Sequence, residues 1–197
     1  SDFAVNLGRG LAHLHDEPIK GSGWGWHEDN RIGPLVQFNP RRTRWGTFWR
    51  DARLAPRVEA TRIQGVLGSS DLKLLEQVLD QTESALADVG GDDASLLHGD
   101  LWSGNVHPGP DGRPVLVDPA AYHGHGEVDL AMAELFGGFP AQSLATYREL
   151  RAIGHRYDDL RRPLYQLYYL LAHLNLFGVE YLPSVRRAAT KITKMTS

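Results

Sequence analysis

Residues 98–105 read His-Gly-Asp-Leu-Trp-Ser-Gly-Asn, and this octapeptide, together with the aspartate at position 118, is the most informative part of the sequence. Asp100 and Asn105 are five positions apart, and Asp118 comes thirteen residues after Asn105, directly behind the apolar run 114–117. Between them the sequence Pro-Gly-Pro-Asp-Gly at 108–112 is typical of a tight turn between two short strands. The pattern therefore predicts a β-hairpin whose two ends hold Asn105 and Asp118 close together.

The three polar residues match what phosphoryl transfer requires of a protein. That reaction needs a group to orient the acceptor hydroxyl, and oxygen ligands for the Mg²⁺ that accompanies the phosphates of ATP. Asn105 and Asp118 are the predicted magnesium ligands, and Asp100 is the predicted catalytic carboxylate. Each residue alone is equally well explained as a loop former or a strand end, but that interpretation leaves the ordered set unexplained.

The spacing matches the catalytic loop of protein kinases, H-R-D-x-x-x-x-N, with glycine at position 99 in place of arginine. The H-G-D form resembles the aminoglycoside-phosphotransferase-like kinases of small molecules. Three segments are similar to the fructosamine (ketosamine) kinase family: 98–106, the Pro-Val-Leu-Val-Asp-Pro-Ala stretch at 114–120, and the stretch from Gly124 to Phe139. Shorter matches at 25–33, 164–168 and 177–178 extend the resemblance over nearly the whole chain.

Membership of that family implies a mainly α (α+β) fold, the large C-terminal lobe of a protein-kinase-like fold with one small β-hairpin. It also implies ATP- and Mg²⁺-dependent phosphorylation of a sugar hydroxyl on a ketosamine, as a step of protein deglycation. Rival interpretations are another kinase of this fold, acting on an aminoglycoside, choline or homoserine, and a truncated binding module without turnover.

Hydrophobic periodicity predicts that helices dominate the chain. We expect residues 18–44 to be mostly irregular, because they are rich in Gly, Pro and Asn. The predicted helices cover 3–16, 45–62, 69–90, 127–136, 142–153, 162–177 and 184–195.

The sequence has no candidate for the ATP-binding N-terminal lobe of such kinases, so residues 1–197 are expected to be a single catalytic C-lobe domain. Gly21-Ser22-Gly23 is better explained as a flexible loop than as a phosphate-binding loop, since it follows the first helix. The chain lacks an initiator methionine and begins inside a predicted helix, so we expect it to be part of something longer. The isolated 197-residue chain is expected to be inactive.

Four further residues are candidates for the site. Trp102 is predicted to stack on the substrate sugar, with core packing as the alternative, and Glu134 to meet a cationic amine of the substrate, with a surface carboxylate as the alternative. The resemblance implies that His98 supports the catalytic loop. It implies the same loop-supporting role for Asp129. The alternative is that Asp129 is a carboxylate at a helix N-terminus, where the helix dipole favours it.

Composition excludes several other classes. The chain has no cysteine, which excludes disulfides and thiol chemistry and is in keeping with a cytoplasmic location. A net charge of −3 gives no reason to expect nucleic acid or a membrane surface as a partner. Seven arginines between positions 41 and 62 are expected to be a solvated helix face. The histidines at 98, 107, 123 and 125 do not have the spacing of a zinc site.

Overall fold

The computed structural model describes residues 2–19 and 23–196, and helices make up most of them. The helices are α1 (Asp2–Asp16), α2 (Trp45–Phe48), α3 (Ala55–Ile63), α4 (Ser69–Ala85), α5 (Glu127–Leu135), α6 (Ala141–Leu150), α7 (Arg162–Phe177) and α8 (Leu182–Thr196). Each predicted helix is present. The one expected over 45–62 contains a π-helical segment, Trp49–Leu54, between α2 and α3. The predicted Gly21 and Ser22 loop lies outside the described residues.

The strands form three two-stranded antiparallel sheets in the described part of the chain, where the sequence had predicted one hairpin. The predicted hairpin is present as β4 (Val106–Pro108) and β5 (Pro114–Leu116). Residues 18–44 were expected to be mostly irregular, and their described part contains two short strands that the sequence did not predict, β1 (Asn30–Ile32) and β2 (Leu35–Gln37). The third sheet joins β3 (Ala94–Leu97) to β6 (Tyr122–His125). The sequence did not predict β1, β2, β3 and β6, because strands of three or four residues are too short to show a period of two. In addition, β3 and β6 pair across 25 or more residues of sequence.

Helix α7 runs through the hydrophobic core and carries more buried residues than its amphipathic neighbours. Trp45 and Trp49 pack against Tyr165 of this helix, with ring centroids 6.2 and 4.9 Å apart. Both residues and Phe48 are no more than 1% exposed, as their core spacing predicted. Tyr165 of α7 accepts a hydrogen bond from the indole of Trp45 at 3.0 Å. In the segments 2–19 and 23–196, no helix has the length and the apolar character needed to cross a bilayer.

Candidate active site

The two ends of the β4–β5 hairpin lie side by side. Val106 pairs with Leu116, and the backbone N–H of Val117 donates to the carbonyl of Asn105 at 3.1 Å. Asp118 follows Val117 directly. The hairpin therefore brings the backbone of Asn105 next to that of Asp118, as the turn signal between them predicted.

Asp118 has a backbone conformation that is unusual for a residue with a side chain. Its φ is 52°, the only positive φ outside glycine in the described residues. Left-handed backbone costs free energy even for aspartate, and such outliers are concentrated at functional sites. The Asp118 side chain is exposed. Within residues 2–19 and 23–196 its carboxylate makes no hydrogen bond or ion pair, so it is available to a cation.

The side chain of Asn105 is oriented from within the loop. This residue is buried, and its Nδ2 donates to the backbone carbonyl of Asp100 at 2.9 Å. The bond engages the nitrogen of the amide and leaves Oδ1 as an acceptor. An amide oxygen and a carboxylate are hard ligands of the kind that Mg²⁺ prefers.

Gly99 fills a position that no other residue fits without rearrangement. Its φ is +82°, and a Cβ atom there would lie 2.1 Å from the carbonyl oxygen of Ala120. The amide of Ala120 also donates to the carbonyl of His98 at 2.8 Å. The loop that carries Asp100 thus packs directly on the segment that follows Asp118, which explains why glycine stands where protein kinases have arginine.

His98 lies buried beneath the loop. Its Nε2 is 2.9 Å from the carbonyl oxygen of Val117, and its Nδ1 is 3.3 Å from the backbone nitrogen of Asp100. A carbonyl only accepts and an amide N–H only donates, so the ring has its proton on Nε2 and accepts at Nδ1. One imidazole therefore links the hairpin end to the backbone of Asp100.

Asp129, the third residue of α5, is completely buried. Its two carboxylate oxygens accept the backbone N–H groups of His98 and Gly99, both at 2.8 Å. Although the residue is also at a helix N-terminus, its hydrogen bonds go to the loop. This geometry favours the loop-supporting role of Asp129 over the role of a helix N-terminal carboxylate.

A second layer of this support was not predicted from the sequence. His15, in α1, places Nε2 3.1 Å from the carboxylate of Asp129 and Nδ1 2.8 Å from the hydroxyl of Tyr147 in α6. All three side chains are buried. A signal existed, because His15 lies four residues after Leu11 on the apolar face of α1, where an imidazole needs a buried partner.

The β1–β2 hairpin supports the other side of the site. Asn30 donates to the carbonyl of Ala121 at 2.8 Å, and Gln37 donates to that of Ala120 at 2.9 Å. The Gln37 oxygen accepts from the hydroxyl of Tyr168 at 2.9 Å. The segment after Asp118 is therefore fixed by a buried polar network that the sequence did not predict.

Asp100 lies at a cavity of about 390 Å³, which Trp102 also lines. Burial raises the pKa of Asp100 to about 6, and the charges of Asp129 and Asp118 act in the same direction. His98 and a hydrogen bond from Asn105 lower this pKa to a smaller extent. A carboxyl group with a pKa near neutrality is well suited to accept a proton from a hydroxyl group. The arrangement combines a candidate base with two candidate magnesium ligands.

Known proteins resemble this chain over nearly all of its length. The sequence profile described as fructosamine kinase matches residues 1–195. The chain belongs to the fructosamine kinase family. An Enterococcus faecium protein named probable ketoamine kinase is 40% identical over 180 residues, which are 89% of this chain and 62% of that protein. The chain spans about 60% of the length of the curated relatives it matches.

Solved structures show the same fold. The crystal structure of a Thermobifida fusca protein assigned as a fructosamine-3-kinase superposes with a TM-score of 0.88 at 34% identity, over 98% of this chain and 65% of that one. A choline kinase from Streptococcus pneumoniae superposes with a TM-score of 0.60 at 17% identity, over 98% of this chain and 64% of that one, and shows the fold alone. The predicted fold class, a mainly helical kinase-like lobe, is confirmed.

In this family member, Trp102 is 40% exposed and its indole covers Gly104, where a Cβ atom would lie 2.3 Å from the ring. The ring is therefore not core, and it lines the cavity beside Asp100. Stacking on a substrate sugar stays a prediction for Trp102.

Glu134 is placed differently from what its substrate-binding prediction required. Its carboxylate is paired with Arg148 at 3.1 Å and with Arg162 at 2.9 Å, and it does not line the cavity that holds Asp100. A carboxylate held by two guanidinium groups has little capacity left for a substrate amine. Glu134 thus links α5 to α6 and α7, and its contact with a substrate amine stays a prediction that these ion pairs do not favour.

The arginines at 41–62 have three kinds of environment, and the first is that of Arg41 and Arg42, which are exposed as expected. Arg53 and Arg57 are buried, which differs from the solvated face expected. Arg44 and Arg50 pair with Glu83, and Arg62 pairs with Glu76 at 2.9 Å. Paired or buried guanidinium groups do not form a patch for phosphates.

Proposed function

We propose that this chain forms the catalytic lobe of an ATP-dependent kinase that phosphorylates a sugar hydroxyl of a ketosamine. The observation that carries the proposal is the position of Asp100, at the wall of a cavity and on the loop that also fixes Asn105. Family membership and relatives named ketoamine kinase and fructosamine-3-kinase support the substrate class. The fold alone would equally suit a choline kinase.

The residues present fit a magnesium ion. Asp118 offers an exposed carboxylate held in a strained backbone, and Asn105 offers the amide oxygen that its own hydrogen bond leaves unused. When bound, the ion would supply positive charge beside the phosphates of ATP and so neutralise the charge that develops during transfer. We propose Asn105 and Asp118 as its protein ligands.

Asp100 is the proposed acceptor-orienting group. Its carboxylate accepts a hydrogen bond from the sugar hydroxyl, holds that oxygen in line with the phosphoryl group, and takes the proton as transfer proceeds. In a loose transition state the proton leaves late, so orientation is the larger part of the effect. His98 and Asp129 act indirectly, because they fix the backbone of residues 98–100.

The biological setting is proposed from the same resemblance. Phosphorylation of a protein-bound ketosamine would be a step of deglycation, and the absence of cysteine from the sequence suits the cytoplasm.

The test is mutation of Asp100 and Asp118 in the native gene product. Asp100→Asn should lower kcat on a ketosamine by about 10²–10⁴, the range of a positioned acid–base group, with little change in KM for ATP. Asp118→Asn should weaken magnesium-dependent ATP binding as well as turnover. Asp111→Asn is a matched control, since Asp111 is exposed in the hairpin turn and pairs only locally with Arg113. If Asp100→Asn kept more than about a tenth of wild-type kcat, Asp100 would not be the base.

A further inference from the structure

Four rings form one side of the Asp100 cavity, and we call them the aromatic wall: Phe136, His173, Phe177 and Tyr181. The centroid of the His173 ring is 4.6 Å from that of Phe136, 5.0 Å from that of Tyr181 and 5.4 Å from that of Phe177. Phe136 is 42% exposed and Phe177 is 59% exposed. Large apolar side chains grouped at a cavity and open to water indicate a binding surface.

His173 behaves in this wall as a neutral, half-buried ring. Burial lowers its pKa, although its bond to the Tyr169 carbonyl acts in the opposite direction. Nδ1 lies 2.8 Å from that carbonyl oxygen and must donate to it. Nε2 is then left as an acceptor on a ring that faces the cavity.

The rest of the lining is mostly aliphatic, and Ile32, Pro34, Met132 and Leu176 contribute to it. Among the described residues that line the cavity, Asp100 is the one with a formal charge at neutral pH. A polyhydroxylated sugar chain lying on this wall would leave most of its hydroxyl groups without partners, which is costly. A carboxylate would meet no cation among the described residues that line this cavity.

These features indicate different locations in the cavity for the sugar of a ketosamine and for the substituent on its amine nitrogen. The sugar must place a hydroxyl at Asp100, while the substituent on the amine nitrogen can extend over the rings. The protonated secondary amine between the two parts can be stabilised by the π faces of the wall and by a hydrogen bond to Nε2 of His173.

We propose that the aromatic wall is the subsite for the amine substituent, and that it selects ketosamines with an apolar alkyl or aryl substituent over those with a carboxylate-bearing one. This inference rests on the proposed ketosamine kinase function and adds to it the class of amine that the site accepts.

The experiment compares two ketosamines of the same sugar, one made from benzylamine and one made from glycine, as substrates of the native gene product. The wild type should have the higher kcat/KM on the benzylamine adduct. Phe177→Ala should reduce that preference by about fivefold to thirtyfold, the loss expected for removing part of a ring contact, mainly through the KM of the benzylamine adduct. Val179→Ala is the matched control, because Val179 is 64% exposed nearby and lies outside the cavity lining.

His173→Gln gives a second readout. It retains a hydrogen-bonding side chain but removes the ring, so it should raise KM for both adducts and leave kcat little changed. Equal kcat/KM for the two adducts in the wild type, or equal effects of Phe177→Ala and Val179→Ala, would overturn the subsite. Failure of the wild type to phosphorylate either adduct would instead refute the kinase function, and with it the subsite.

Discussion

The buried carboxylate of Asp129 offers a quantitative test of how the loop is held. Asp129→Asn preserves the size of the side chain but replaces one acceptor oxygen with a donor. In the wild type the two carboxylate oxygens of Asp129 accept three hydrogen bonds. The donors are the backbone amides of His98 and Gly99, both at 2.8 Å, and Nε2 of His15 at 3.1 Å. After the change at least one buried amide N–H would face an NH₂ group.

Hydrogen bonds to charged groups contribute about 1.5–3 kcal/mol, and an orphaned buried donor costs a comparable amount. We therefore expect Asp129→Asn to lower the free energy of unfolding by roughly 2–4 kcal/mol. For a chain of this size that corresponds to a Tm lower by roughly 5–15 °C. Because Asp100 follows Gly99 directly, kcat should also fall by about 10–100-fold through misplacement of the catalytic carboxylate.

Thermal unfolding followed by circular dichroism, and kcat at a temperature where both proteins are folded, would measure these effects in the native gene product. The control is Asp71→Asn. Asp71 is also buried, accepts a backbone N–H from Gly68 and binds Arg186 at 2.7 and 2.9 Å, but it lies in α4, away from the site. Asp71→Asn should lower Tm and leave kcat unchanged. Equal loss of kcat in both variants, or an unchanged kcat in Asp129→Asn, would refute the reasoning.

Three further predictions concern the pH dependence of kcat/KM, the backbone at Gly99 and the activity of the isolated chain. The ionised form of Asp100 is the proposed base, and its pKa is raised to about 6. We therefore expect kcat/KM to be nearly constant above pH 7 and to fall about tenfold per pH unit well below pH 6. A flat profile down to pH 5 would contradict the assignment. Gly99→Ala should destabilise the fold by more than about 3 kcal/mol and abolish turnover, because the new Cβ would meet a carbonyl oxygen at 2.1 Å. The control is Gly112→Ala: Gly112 has a φ of +76° and open space around it, so the change should lower the free energy of unfolding by only about 1 kcal/mol in thermal unfolding. The isolated chain of 197 residues should bind Mg-ATP weakly in calorimetry and show no ketosamine phosphorylation, whereas robust turnover would show that no further lobe is required.

The sequence by itself determined the helices and the β4–β5 hairpin, because a period of 3.6 over ten or more residues and a Pro-Gly turn are local signals. It also determined which residues are candidates for the chemistry, since Asp100, Asn105 and Asp118 are close in sequence and their spacing follows from one loop and one hairpin. The buried positions of Trp45, Phe48 and Trp49 followed from the same periodicity.

The surroundings of that loop depend on contacts between residues that are far apart in the sequence. The bond from His15 to Asp129 joins residues 114 positions apart, and the bond from Gln37 to Ala120 joins residues 83 positions apart. The apolar face of α1 shows that His15 needs a buried partner, but nothing local shows which residue that partner is, and nothing local distinguishes Gln37 from other polar residues of a short strand. The same reason explains Glu134, whose sequence context suits a substrate contact but whose position places it between two arginines contributed by other helices. Partners that are distant in sequence are chosen by packing, and packing is a property of the whole fold.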